Sequence, residues 1–368
     1  MTGPPASTAA CRLAVRRSLA GHDGPVLAAV SGGADSLALA AALAFERPGS
    51  GALVVDHALQ PGSAEVAARA ADQCRSLGLT ATVLTASAGT APARSAPART
   101  ALGSPAAPAG SPPPISPPAA TQCGGTLPVG AAGGGNAASH CRPESGPGPA
   151  TVAGSGGAGG PEASARWLRY ALLDEAAARL DTAAGDAVVL LGHTLDDQAE
   201  TVLLGLVRGS GARALSGMAP VRGRYRRPFL DLSRATVRKA CAEAGLVPHE
   251  DPHNDDEAYT RVRVRRLLAE LDITPGLART AGLLREDADA LESLATPTDD
   301  VAALAAMPAA LRARALKRWA EERCGRSLTA VQVQALRALV EDWHGQGPVA
   351  LPGGGRVSRV AGRLAFTP

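Results

Sequence analysis

The chain has 368 residues, a net charge of only +3 and an aromatic content of 2%, so no whole-molecule field draws a polyanion to it and any nucleic-acid contact rests on a local patch. No window offers the roughly 20 uninterrupted apolar residues of a membrane span, and the start MTGPPASTAACRLAVRRSLAG lacks the pattern of an export signal, which argues for a cytoplasmic protein without a membrane segment. Six cysteines, at 11, 74, 123, 141, 241 and 324, form no C-x-x-C pair and no His/Cys cluster, which excludes zinc and iron–sulfur sites of ordinary spacing.

Taken in chain order, short apolar runs alternate with helical patterns. Pro25–Val30 reads as a buried strand, followed by SGGADS and a helix over Leu37–Phe45. Ala52–Asp56 is a second strand, Gly62–Leu77 a helix and Thr80–Leu84 a third strand. From about Ala86 to Gly160 the chain is nearly all Ala, Gly, Pro, Ser and Thr, with too few large apolar side chains to offset the entropy of ordering, so a disordered insertion is expected. Its GSGGAG, Gly154–Gly159, matches a dinucleotide fingerprint only in letters, because no strand precedes it. A helix follows over Ser164–Leu180, then a strand over Ala187–Leu191 that leads through GHTLDD into a helix ending near Arg208 and Gly209. This rhythm predicts an α/β fold with a doubly wound, mostly parallel sheet.

After about Ile273 the rhythm stops. Leu311–Arg323 and Leu328–Trp343 read as amphipathic helices, and VALPGGGRVSRVAGRLAF as a hairpin with a Gly-rich turn. The expected organisation is therefore 1–85 and 162–272 as two parts of one domain, 86–161 as the insertion, and 273–368 as a smaller, mainly helical C-terminal domain.

Three motifs could carry chemistry. In AAVSGGADSLAL, Ser31-Gly32-Gly33-Ala34-Asp35-Ser36 ends a strand and opens a helix. Paired glycines let several N–H groups converge, and the helix start adds positive potential, which together suit a phosphate. A tight strand-to-helix turn with Asp35 and Ser36 as dipole-stabilised helix-start residues fits equally well. The second motif, Val55-Asp56-His57-Ala-Leu-Gln60, ends the second strand, where a doubly wound fold places nucleotide contacts. The third, GHTLDDQAETVLLGLVRGSG from Gly192 to Gly211, puts His193 at a strand end and Asp196, Asp197 and Glu200 in the first turns of a helix. Histidine exchanges protons near neutral pH, and carboxylates nearby can orient it or hold a metal; Thr194 with Asp197 is also a capping box.

The SGGADS segment lacks the lysine of a Walker loop and resembles the SGGxDS loop of the PP-loop ATPases, which cleave ATP between the α and β phosphates. Val55–Gln60 resembles the VDHxLR of lysidine synthetases, with Gln60 where that family has arginine. GHTLDDQAETVLLGLVRGSG resembles a segment shared by these enzymes and their thiolase relatives, which carry C-x-x-C pairs that this chain lacks. Ala165-Arg166-Trp-Leu-Arg169-Tyr170 resembles ARxxRY, Leu215–Met218 with Arg227-Pro228 resembles GLxGM and RPLL, and EDPHND with RVRVRR resembles DxxNxxxxxxRNRIR. The last is matched at Asp251, Asn254, Arg261, Arg263 and Arg265, while Val262 replaces asparagine.

The resemblance implies an adenine-nucleotide alpha hydrolase-like PP-loop domain and an enzyme that uses ATP with magnesium to join L-lysine to the CAU-anticodon wobble cytidine of tRNA(Ile). It implies ATP binding by Ser31, Gly32, Gly33, Ala34, Asp35, Ser36, Asp56 and His57, a metal at Asp35, and catalysis by Asp35, Arg166, His193, Asp196 and Asp197. It further implies tRNA binding by Arg227, Arg261, Arg263 and Arg265. Arg222, Arg224, Arg226 and Arg227, around Tyr225, form an arginine group that could pair with RNA phosphates or stack on a base. A thiolase or a non-catalytic RNA-binding relative is the alternative, and the oligomeric state, a homodimer included, stays open.

Overall fold

The computed structural model describes residues 3–56, 62–85, 161–183, 185–250 and 260–368. The expected insertion, His57, Gln60, Asp251 and Asn254 lie outside these residues.

Strands β1 (Val26–Val30), β2 (Gly51–Asp56), β3 (Thr80–Thr85) and β4 (Val188–Leu190) and the short pair β5 (Val221–Arg222) and β6 (Tyr225–Arg226) form one sheet in the order β3-β2-β1-β4-β6-β5. All neighbours run parallel except β5 against β6. The near-continuous apolar run of β1 is what a parallel strand covered on both faces requires. Its period of two sorts the side chains. Val26, Ala28 and Val30 join a core with α1 (Ala6–Ser18), α2 (Ala34–Glu46), α3 (Ser63–Ser76) and α7 (Arg234–Glu243), whereas Leu27 joins Leu53, Val189 and Leu191 against Leu173 and Ala177 of α4 (Pro161–Ala178). The sheet therefore has helices on both faces, as the alternating pattern predicts. Helix α2 carries Leu37, Leu39 and Leu43 fully buried, which its nearly unbroken apolar sequence demands. Helix α1 had no expected counterpart; its Cys11 and Val15, spaced i,i+4, lie in the same core, and the helix packs on α2 and α7.

Beyond β4, α5 (Leu195–Val207) and α6 (Ala212–Leu215) lead to β5 and β6, and after α7 come α8 (Thr260–Leu271) and α9 (Thr274–Leu294). Val264 and Leu268 of α8 and Leu277 of α9 close on Ala199 of α5. A separate core, with Leu304, Leu316, Trp319, Leu336, Leu339, Val357 and Leu364 at its centre, is made by α10 (Val301–Ala306), α11 (Ala309–Cys324), α12 (Ala330–Glu341) and strands β7 (Val349–Ala350), β8 (Arg356–Val360) and β9 (Arg363–Thr367). The expected hairpin is thus part of a three-stranded antiparallel sheet, β7-β8-β9. Its tight β8–β9 turn places Ala361 and Gly362 at φ +48° and +77°, the left-handed pair that a two-residue hairpin loop needs. Among the described residues, no helix is long and apolar enough to cross a membrane.

Candidate active site

In a sheet ordered 3-2-1-4, β1 and β4 run parallel but the strand order reverses between them, and the crevice at their carboxyl ends is where such folds bind ligands. Both outer motifs meet there. Ser31–Ser36 leaves β1 and Gly192–Asp197 leaves β4, around a cavity of about 900 Å³ that Asp56, Arg166, Arg169, Tyr170, Arg234, Arg238, His249 and Arg265 also line. The two loops touch through backbone: a Cβ on Gly192 would lie 3.0 Å from the Asp35 carbonyl oxygen and 3.3 Å from the Ser36 nitrogen. Glycine at 192 is therefore a demand of close approach.

The Ser31–Ser36 turn is held from within. Ser36 Oγ donates to the Gly33 carbonyl at 2.9 Å and accepts from the Ser31 N–H at 3.1 Å. Gly32 sits at φ +86°, which glycine adopts at no steric cost, and Gly33 is the N-cap of α2 without a side-chain cap. The first N–H groups of α2 thus have no side-chain acceptor at the helix end, the arrangement that suits an anion.

Asp35 lies in the first turn of α2 with Oδ1 buried and without a hydrogen-bond partner. Burial, reinforced by the charges of Asp197 and Asp196 and opposed by Arg234 and Arg238, pushes its carboxyl up to about 6. His193 has a buried, unpartnered Nδ1. Burial pushes it down to about 4 against the pull of Asp197, with Arg227, Arg166 and Arg169 adding to the effect, so the ring is neutral at physiological pH.

The two helix-start carboxylates are committed elsewhere. Asp197 Oδ2 accepts from the Thr194 N–H at 2.8 Å and hydroxyl at 2.9 Å, completing the capping box, and its Oδ1 accepts from Arg234 at 2.7 Å. Burial would raise its pKa, yet Arg234, the Thr194 bonds and His193 together hold it below the usual carboxylate range. Asp196 accepts the Arg234 backbone N–H at 2.7 Å, at the start of α7.

Arg234 was not singled out in the sequence, and no local signal in LSRATVRKA separates it from a surface charge. The fold makes it the hub: its guanidinium reaches Asp197, Glu200 at 3.0 Å and Asp35 at 3.8 Å, while Arg265 donates to the same Glu200 oxygen at 2.8 Å. Buried carboxylates in this number hold together only with such cations between them.

The arginine group around Tyr225 is largely turned to structural use, which corrects its reading as an RNA-facing patch. Arg224 pairs with Asp181 at 3.2 Å, Arg226 donates to the Ser18 carbonyl, and Arg227 is buried and donates to the Ala219 carbonyl at 2.8 Å. Tyr225 is itself buried, its hydroxyl on Asp174 at 2.7 Å, so it presents no face to a base. The other expected tRNA contacts lie on α8: Arg261 and Arg263 are exposed, and Arg265 lines the cavity. Val262, at the family's asparagine position, is buried at the cavity wall. Among the described residues, no three His, Cys, Asp or Glu side chains are grouped to hold a metal, and no cysteine lines the cavity.

Residues 150–271 match the PP-loop domain family and residues 300–365 the TilS substrate binding domain family. The chain is 44% identical to the tRNA(Ile)-lysidine synthase of Leifsonia xyli subsp. xyli, over 93% of this chain and 90% of that protein. It is 42% identical to the tRNA(Ile)-lysidine synthase of Thermobifida fusca, over 99% and 98%, and 41% identical to that of Streptomyces coelicolor, over 93% and 84%. The solved structure of the U34-tRNA thiolase NcsA from Methanococcus maripaludis superposes with a TM-score of 0.48 at 15% identity, over 76% of this chain and 80% of that one, a likeness that carries no functional weight.

Proposed function

The chain belongs to the tRNA(Ile)-lysidine synthase family and is an ATP-using ligase of tRNA(Ile); from that premise we propose that it joins free lysine to C2 of the CAU-anticodon wobble cytidine in the cavity between the β1 and β4 ends. The observation that carries this reading is the meeting of the Ser31–Ser36 turn, Arg166, His193 and Asp35 around one cavity. The absence of any cysteine from its described lining favours ligation over sulfur transfer, which needs a thiolate in the site. The substrates, tRNA and ATP, put the reaction in the cytoplasm.

In the first step the cytosine C2 oxygen attacks the α-phosphorus of ATP, a new O–P bond forms, and the bond to the β-phosphate oxygen breaks to release pyrophosphate. Ser31–Ser36 holds the departing phosphates by backbone N–H groups and hydroxyls, and Asp56 and His57 contribute to the nucleotide site. Arg166 supplies positive charge at the α-phosphate, and neutral His193 a hydrogen bond. The unpartnered Oδ1 of Asp35 fits a magnesium ion; held there, the ion would neutralise charge on the leaving group.

In the second step the lysine ε-amine attacks C2 and AMP leaves with the oxygen. An amine with a pKa of about 10.4 must first lose a proton. Asp197 and Asp196 are tied to Thr194 and Arg234, so they orient the site; we assign the proton to Asp35, whose proton affinity burial raises. Its two roles are separated in time, because pyrophosphate departs before the amine attacks. Arg261, Arg263 and Arg265 on α8 and the region 273–368 hold the tRNA, whose wobble base must be splayed into the cavity.

Incubation with magnesium, ATP, lysine and a CAU-anticodon tRNA transcript, followed by mass spectrometry, tests the reading. The expected result is a lysine-sized mass gain on the wobble cytidine, lost in Asp35→Ala and retained in a protein with every cysteine changed to alanine. ATP-dependent labelling of a different substrate, with no gain on that base, sinks it.

A further inference from the structure

The leaving pyrophosphate carries more negative charge than the Ser31–Ser36 turn meets. The turn offers dipoles, no lysine and the negative Asp35, and neither of the chain's two lysines, Lys239 and Lys317, lines the cavity. The arginines of the cavity differ in how they are engaged. Arg166 and Arg169 come from α4, on the sheet face opposite α2, α3 and α7. Arg234 and Arg265 are held by Asp197 and Glu200, and Arg266, also on the lining, follows Arg265 on α8 rather than lying on α7.

Arg238 is placed differently. It follows Arg234 by one turn of α7, hence on the same face, and lines the cavity with Ser31, Ser36, Ser63 and the segment Pro248–Glu250. That segment is pinned to the turn, since the His249 N–H donates to the Gly32 carbonyl at 2.9 Å. The charge of Arg238 is felt at Asp35. Its ion pair among the described residues is with Glu250 at 3.8 Å, with side chains 59% and 82% exposed, a pairing that water and salt weaken and that a phosphate can displace.

We propose that Arg238 binds the β- and γ-phosphates of ATP and the pyrophosphate derived from them, exchanging Glu250 for phosphate oxygens. A guanidinium fork grips two such oxygens at once and supplies the cation that the turn lacks. The proposal rests on reading Ser31–Ser36 as the pyrophosphate loop, given above.

Titration calorimetry with magnesium pyrophosphate, and separately with AMP, on the full chain tests it. Arg238→Ala should weaken pyrophosphate on the order of tenfold, as loss of a hydrogen bond to a charged group does, and leave AMP within about twofold; Arg238→Lys should recover part of the loss. Arg238 is solvent-exposed, so the variant should melt like the wild type, which a thermal scan confirms. Pyrophosphate affinity unchanged in Arg238→Ala, or pyrophosphate and AMP weakened equally, overturns the role of Arg238 while leaving the loop reading intact. A wild-type protein that binds AMP but no pyrophosphate removes the loop reading, and this inference with it.

Discussion

Replacing Gly192 by alanine puts a methyl carbon 3.0 Å from the Asp35 carbonyl oxygen, 3.1 Å from the Asp35 carbonyl carbon and 3.3 Å from the Ser36 nitrogen. All three are backbone atoms, so no rotamer change relieves the contact. The backbone at 192 is not left-handed, which makes the penalty one of space alone. Relief requires the β4 end and the phosphate turn to part by roughly half an ångström, and overpacking of this kind costs about 1–3 kcal/mol of stability. The same movement carries Asp35 away from His193. Because about 1 Å of misplacement at reacting groups can cost about 100-fold, Gly192→Ala should lower kcat/KM for lysidine formation on the order of tenfold. Gly211→Ala is the control: the residue is outside the cavity lining, its φ is −74°, and a Cβ there would meet nothing within 4 Å. Initial rates of pyrophosphate release, read beside thermal melts of both variants, measure the effect. A Gly192→Ala protein with wild-type rate and wild-type melting temperature would refute the claim that these two loops are locked by contact.

Other consequences follow from the same geometry. Asp35 is raised from 3.8 to about 6, so ionising it costs the fold up to about 3 kcal/mol above pH 6, a penalty absent below pH 3.8. Asp35→Asn should therefore abolish lysidine formation yet stabilise the magnesium-free protein at pH 7.5, the gain shrinking as pH falls from 6 towards 4; a lower melting temperature than wild type at pH 7.5 would count against it. Thr194 caps α5 through Asp197 and is fully buried. Thr194→Ala should cost about 1 kcal/mol in urea unfolding, and no measurable change would mean that the cap is idle. Ala361, left-handed in the β8–β9 turn, should gain about 0.5–1 kcal/mol as Asn, a residue that tolerates this conformation; a loss on thermal denaturation would show that the turn is not the strained element.

The doubly wound sheet was legible because β1, β2 and β4 are short apolar runs between helical patterns, and strand period and burial are properties of local sequence. The capping box at Thr194 and Asp197 was readable for the same reason, since both partners lie within one turn. Motif spelling located Ser31–Ser36 and His193, and strand order explains why they meet. Sequence could not say which carboxylates stay available. Asp35, Asp196 and Asp197 look alike in one dimension, but Arg234, distant along the chain, takes up Asp197 and the N–H at the start of α7 takes up Asp196, leaving Asp35 with an unpartnered oxygen. Likewise Arg224, Arg226 and Arg227 read as a basic patch until β6 turns them onto Asp181, Ser18 and Ala219. Local pattern determines elements because helix and strand formation depend on neighbours a few residues away; the commitment of a charge depends on desolvation and on partners brought from elsewhere, and only the packed structure supplies these.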